Sequence, residues 1–164
     1  MSTRNTNRGY TIIETVVYIG LFAMLSLAFT QTMIMIMKSY TQVEGNRDIL
    51  DASHVVMERL AREIRGAASI DGSSVFHATN SDISVVNSGH TLRFRKNGTN
   101  LELYQDGTLS GTINPASVSV TSFSATRISG PNGDAIKYAV TFQNTKGVIV
   151  AKTFYNTVVL RGAY

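Results

Sequence analysis

Glu14 is the residue whose type and position most suggest chemistry. It is the only charged residue between Gly9 and Met37, a stretch otherwise dominated by apolar side chains. A carboxylate near the start of a lipid-facing helix is costly unless it finds a partner. Two explanations stay open. Glu14 is either hydrated in the first helical turn, where the helix dipole favours it, or paired with a cation from a neighbouring chain.

The other residue types that could catalyse a reaction or bind a metal form no recognisable pattern. The chain has no cysteine, and His54, His77 and His90 lack a second ligand at metal spacing. No serine lies in a nucleophile-elbow motif. We therefore predict no catalytic residue, no metal site, no cofactor and no enzyme activity.

Two weaker patterns lie in the second half of the chain. Calcium binds carboxylate and amide oxygens, and several such side chains lie in predicted loops. They lack the spacing of an EF-hand, so we expect them to stabilise turns; they are Asp71, Asp82, Asp106, Asn132 and Asp134. A basic and aromatic strand face for nucleic acid is suggested by Arg93, Phe94, Arg95, Lys96 and Tyr104. Strand alternation places Phe94 on the opposite face from the two arginines, which favours a half-buried strand.

An element of membrane-spanning length positions Glu14. Ile12 to Met37 supplies the run of about 20 mainly apolar residues that a bilayer-spanning helix needs. We expect the basic leader with Arg4 and Arg8 in the cytoplasm and residues after the span outside. The apolar block is longer than the h-region of a secretory signal peptide, and no small-residue cleavage site follows it.

After the span the pattern becomes amphipathic and then alternating. The predicted helix continues to about Ala68, with apolar positions at Val43, Leu50, Met57, Leu60, Ile64 and Ala67. Strands are predicted at 75–78, 83–86, 92–95, 101–104, 118–128, 135–143 and 148–160. Hairpin turns are expected at 96–99, where Asn-Gly accepts positive φ, and near 146–147. Residues 130–134 are expected to form a solvent loop.

The junction between leader and span carries a family resemblance. It reads RGYTIIE from residue 8 to residue 14 and resembles the processing site of type IV pilins and type II secretion pseudopilins. The resemblance implies cleavage between Gly9 and Tyr10, N-methylation of Tyr10 and an assembly role for Glu14. Tyr10 stands where phenylalanine is usual, and Gln31 stands where major pilins have a helix-kinking proline. We therefore expect a minor pilin or minor pseudopilin.

The resemblance also implies an α+β, pilin-like fold. Its long N-terminal helix, transmembrane in the first half and amphipathic in the second, packs on a C-terminal antiparallel β-sheet domain. The expected segments are a cleaved leader at 1–9, a transmembrane and assembly helix at 10–37, an amphipathic helix at 38–70 and a β domain at 71–164.

The implied function is that of a structural filament subunit. The precursor crosses the inner membrane once, with its N-terminus in the cytoplasm, before it enters a periplasmic or cell-surface filament. Expected partners are other pilin or pseudopilin subunits, the prepilin peptidase, the inner-membrane assembly platform and the membrane; nucleic acid is less favoured. The alternatives are a tip-located module that binds DNA, a surface or secreted cargo, and a plain single-span anchored β domain.

Overall fold

One helix, α1, covers Ile12–Gly66 in the computed structural model, which describes residues 11–130, 133–145 and 151–161. The predicted continuous helix is confirmed, and its end lies two residues before the predicted one. Thr11 caps its start, since the backbone N–H of Glu14 donates to Thr11 Oγ1 at 3.4 Å. Beyond Gly66 the N–H of Ala68 donates to the carbonyl of Val86 at 2.8 Å, which leads the chain into a sheet.

The chain divides into two units, Met1–Thr41 and Gln42–Tyr164, and the second unit, called here the β unit, holds the core. Within it α1 buries a stripe of residues spaced three and four apart: Gly45, Ile49, Ala52, Ser53, Val56, Leu60, Ala61 and Ile64. The prediction was right for Leu60 and Ile64 but wrong for Val43 and Leu50, which are 67% and 51% exposed. Val43 and Leu50 are seven residues apart and lie on one side of the helix, whereas the buried Ile49 and Val56 lie on another side.

Eight strands, all paired antiparallel, form two sheets in the described part of the chain. The first sheet has the order β1-β2-β3-β4-β5, with β1 at Ser69–Ile70, β2 at Asp82–Asn87, β3 at His90–Asn97, β4 at Asn100–Gln105 and β5 at Thr108–Thr112. The second has the order β6-β7-β8, with β6 at Val118–Gly130, β7 at Gly133–Asn144 and β8 at Lys152–Val159.

Two strands differ between the prediction and the structure. The strand predicted at 75–78 is wrong: Val75 makes one isolated bridge, to Asp82, before the chain crosses to the second sheet. β5 was not predicted, because its sequence TLSGT lacks apolar alternation; a tight turn with positive φ at Asp106 and Gly107 brings it back onto β4.

The turns are shifted as well. Asn97 and Asn100 close the hairpin, so Gly98 takes the positive φ of 58° and Asn97 remains in β3. Gly130 and Gly133 pair as strand residues, so the predicted loop is shorter than expected. The turn predicted near 146–147 lies outside the described residues.

Ser81 joins the two sheets. Its hydroxyl accepts the backbone N–H groups of His77 at 2.9 Å and Ala125 at 2.8 Å and donates to the carbonyl of His77 at 2.7 Å. Its own N–H donates to the carbonyl of Phe123 in β6 at 2.7 Å. A buried hydroxyl with these partners carries no unsatisfied polar group, so the crossing segment is fixed to β6.

Tyr138 of β7 connects the second sheet to α1. The residue is 1% exposed, and its hydroxyl donates to the backbone carbonyl of Met57 at 3.1 Å. Asn156 Nδ2 of β8 donates to the same hydroxyl at 3.2 Å. Burial raises the pKa of Tyr138 to about 12. The Tyr138 side chain thereby connects β7 and β8 to the helix.

We predict that Tyr138→Phe lowers the free energy of unfolding of residues 42–164 by about 1 kcal/mol, because a buried hydrogen bond to the helix is lost. Urea denaturation measures the change. Tyr155→Phe is the matched control, since Tyr155 is 71% exposed and should tolerate the change. Equal losses in both variants would contradict the role of Tyr138.

The same pair of proteins tests the raised pKa. The pKa of a tyrosine in an unfolded chain is about 10, whereas the pKa of Tyr138 in the native state is about 12. The native state therefore binds the proton more tightly, and stability falls as the pH rises from about 10 to about 12. The difference in stability between wild type and Tyr138→Phe should shrink over that range. If the difference in stability between the two proteins stayed constant from about pH 10 to about pH 12, the raised pKa of Tyr138 would be contradicted.

Candidate functional site

The half of α1 that precedes the β unit presents an uncovered apolar surface. Between Ile12 and Tyr40 every large apolar side chain is exposed, and Phe22 and Phe29 are each 73% exposed. α1 is long and apolar enough to cross a membrane. Leaving this much apolar area in water is unfavourable, so lipid or other protein must cover it.

Threonine hydroxyl groups within this apolar segment are satisfied inside the helix. Thr30 Oγ1 donates to the carbonyl of Ser26 at 2.9 Å, and Thr32 Oγ1 donates to the carbonyl of Ala28 at 2.9 Å. A hydroxyl that bonds one turn back leaves no unpaired donor facing lipid. The threonines therefore do not prevent the segment from lying in an apolar environment.

Glu14 lies in the first turn of α1, as one of the two explanations for it requires. Its carboxylate accepts a hydrogen bond from the Tyr18 hydroxyl, with 3.3 Å between Tyr18 Oη and Glu14 Oε1. Tyr18 was missed in the sequence analysis, although a spacing of four residues places two side chains on neighbouring turns. The acid thus has one neutral partner within its own helix and remains half-exposed.

The other residues predicted to act at this site lie outside the described residues. These are Gly9 and Tyr10 at the expected cleavage position and Arg4 and Arg8 in the expected leader. α1 passes through Gln31 as regular helix, at the position where the resemblance would place a proline in a major pilin.

Asp71 and Asp106, two of the acids considered for calcium, stabilise turns. Asp71 Oδ1 accepts the N–H of Ser73 at 2.7 Å, and hydrogen bonding to Ser73 lowers the pKa of Asp71. Asp106 accepts the N–H of Thr91 at 2.8 Å and contacts His90 Nδ1 at 2.7 Å. These two hydrogen bonds lower the pKa of Asp106, and the bond from Thr91 has the larger effect.

Asp134 and Asp82 pair with arginines, and Asn132 lies outside the described residues. Arg127 Nη2 donates to Asp134 Oδ2 at 2.6 Å, which lowers the pKa of Asp134. The guanidinium of Arg93 binds the Asp82 carboxylate in a two-point contact. Within residues 11–130, 133–145 and 151–161, no three His, Asp or Glu side chains come together as a metal-binding group.

The histidines are separated from one another and have local contacts. His54 Nδ1 lies 3.6 Å from Glu58 on the exposed side of α1, and His77 Nδ1 accepts the N–H of Thr79 at 3.3 Å. His90 Nδ1 contacts Asp106 Oδ2. These three positions are therefore not brought together into one site.

The strand face considered for nucleic acid alternates basic and acidic groups. Phe94 is fully buried on the core side, as predicted from alternation. Arg95 lies opposite Glu102 in the pairing of β3 with β4, and Tyr104 Oη donates to Glu102 Oε2 at 2.7 Å. That hydrogen bond raises the pKa of Tyr104. Two carboxylates, from Asp82 and Glu102, thus balance the two arginines.

We predict that the full chain stays in the membrane pellet after an alkaline carbonate wash, whereas residues 42–164 alone are soluble. A full-length Leu21→Arg/Leu25→Arg variant should shift largely to the supernatant, because two arginines in mid-span oppose insertion by about 5–7 kcal/mol. Leu109→Arg, an exposed position of β5, is the matched control and should remain in the pellet. Release of the wild-type chain by the wash would contradict a spanning helix.

No protein-family model, curated protein or solved structure matches this chain.

Proposed function

We propose that this chain is a minor pilin or minor pseudopilin, a structural subunit of a type IV pilus-like or type II secretion filament. The observation that carries the proposal is the uncovered apolar surface of α1 from Ile12 to Tyr40, with a single carboxylate, Glu14, in its first turn. A helix of this kind suits two apolar environments in succession. The first is the lipid bilayer, and the second is the interior of a filament made of similar helices.

The α+β architecture supports the proposal. A continuous helix leaves its first half uncovered and buries its second half against antiparallel sheets, which is the arrangement expected of a pilin-like fold. The helix does not depend on the core for its first half, because its backbone bonds are made within the segment. The β unit can therefore face an aqueous compartment while the apolar segment lies in lipid.

Glu14 is proposed to direct assembly. Cleavage between Gly9 and Tyr10 creates an amine four residues before Glu14, and methylation of Tyr10 leaves that amine able to carry a positive charge. The Glu14 carboxylate of one subunit pairs with the Tyr10 amine of its neighbour, since opposite charges attract strongly where the dielectric is low. This pairing sets the axial step between subunits.

Tyr18 has a supporting part in this mechanism. Its hydroxyl donates to the Glu14 carboxylate within the same chain. A hydrogen bond of this kind lowers the cost of keeping the acid in the membrane before a cationic partner arrives. The acid is therefore held at the start of the helix in a position that a neighbouring amine can approach.

The plain anchored β domain and the filament subunit differ in processing and assembly. Both use α1 as a membrane anchor, but the anchored domain requires neither cleavage after Gly9 nor a partner for Glu14. A carboxylate at this place serves assembly and adds nothing to anchoring, which favours the filament subunit.

We predict that Glu14→Ala leaves membrane insertion and cleavage intact but reduces incorporation into sheared filaments more than about tenfold, because an ion pair in an apolar interior loses one partner. Immunoblotting of membrane and filament fractions from cells with the complete assembly machinery measures both steps. Glu44→Ala, on the exposed surface of the same helix, is the matched control. Normal incorporation of Glu14→Ala would contradict the pairing.

A further inference from the structure

A groove opens in the β unit between α1 and the last strand of the first sheet. Two adjoining cavities of about 360 and 450 Å³ form it, and both are lined by Val55, Thr112 and Ile113. Val55 is 58% exposed, and Ile113 packs partly against the core. The groove therefore has an apolar floor, with the helix on one side and a strand on the other.

That strand, β5, has a free edge. It is the last strand in the order of its sheet, and among the described residues no backbone group pairs with its outer side. The N–H of Ile113 donates to the carbonyl of Leu101 at 2.8 Å, so the neighbouring Thr112 directs its backbone N–H and carbonyl away from β4. Unpaired backbone groups of this kind can bind an added strand. Thr112 lies on the regular side of the bulge that interrupts the pairing of β5 with β4 between Leu103 and Tyr104.

The charges along the groove differ from one end to the other. Asp48 and Asp51 line the end beside residues 112–117, without a basic residue among the lining side chains. Arg59 and Arg62 line the other end, where Glu58 is the single acid. No ion pair within the described residues holds Arg62. Arg47 lies 3.8 Å from Asp51, and Arg59 lies 2.9 Å from Glu63. Among the described residues, Asp48 at one end and Arg62 at the other are therefore the groove charges without an ion pair.

We propose that this groove binds an extended segment of a different protein, which adds to β5 as an antiparallel strand. Because β5 and α1 run in opposite directions along the groove, such a segment places a basic residue near its start beside Asp48 and Asp51. It places an acidic residue near its end beside Arg62. Small β-branched side chains between the two fit the floor formed by Val55 and Ile113.

The same charges argue against β8 of a second copy as the occupant. β8 lies at one edge of the second sheet and pairs regularly with β7, so it could serve as a donor strand. The described residues from 151 to 161 include Lys152 and Arg161 and no acid. A donor strand from β8 would place Arg161 towards the basic end. The proposal is independent of the filament function, because the groove lies entirely in the β unit.

A labelled peptide with blocked ends, Lys-Thr-Val-Thr-Val-Thr-Glu, tests the proposal against the full chain in detergent by fluorescence anisotropy. We expect saturable binding that Arg62→Glu weakens about tenfold, because an attraction becomes a repulsion. Arg65→Glu is the matched control: it lies on the same helix, is exposed and does not line the groove. A peptide that ends in Lys instead of Glu should bind Arg62→Glu with the lost affinity restored, and it should bind the wild type no better than the original peptide does.

A second probe tests strand addition itself. N-methylation of the same peptide at alternate backbone positions removes the N–H donors of one edge, and of the two possible peptides the one methylated on the edge that faces β5 should not bind. The proposal would be overturned by no saturable binding up to millimolar peptide, by equal effects of Arg62→Glu and Arg65→Glu, or by unchanged binding of both methylated peptides. Sedimentation of the full chain adds one more outcome: a dimer that Arg62→Glu dissociates would assign the groove to a second copy and contradict a foreign strand.

Discussion

The apolar surface of α1 is the constraint on which the rest of the structure depends. From Ile12 to Tyr40 no residue in the described part of the chain covers the large apolar side chains of the helix. An uncovered area of this kind has to be removed from water by lipid or by other subunits. The threonine hydroxyls are bonded one turn back within the helix, and Glu14 has Tyr18 beside it, so the polar groups of the segment are compatible with an apolar environment.

The same helix meets the opposite requirement in the β unit. There a narrow stripe that includes Ile49, Val56 and Leu60 is buried, while charged residues occupy the other sides. Tyr138 forms a hydrogen bond between the second sheet and α1. Ser81 forms hydrogen bonds between the two sheets. One helix thereby connects a segment suited to an apolar environment to a folded unit that keeps a free strand edge and a charged groove.

Features that depend on local composition were predictable, and features that depend on tertiary contacts were not. The span of α1 and most strands follow from apolar runs and alternation, and Glu14 stands out because it is the only charge in its segment. The buried stripe was partly misassigned, because Leu50 and Ile49 are equally apolar and only packing selects between them. β5 and the bridge at Val75 depend on neighbouring strands. The groove joins Arg62 to Ser110, residues far apart in sequence, so no local pattern indicates it.

The measurement that tests the filament proposal most directly is the intact mass and N-terminal residue of the chain extracted from membranes, with and without a prepilin peptidase. We predict a product that begins at N-methylated Tyr10 only when the peptidase is present, and an uncut product from Gly9→Val under the same conditions. A chain that keeps residues 1–9 in the presence of the peptidase, or that is cut after the apolar segment, would contradict it.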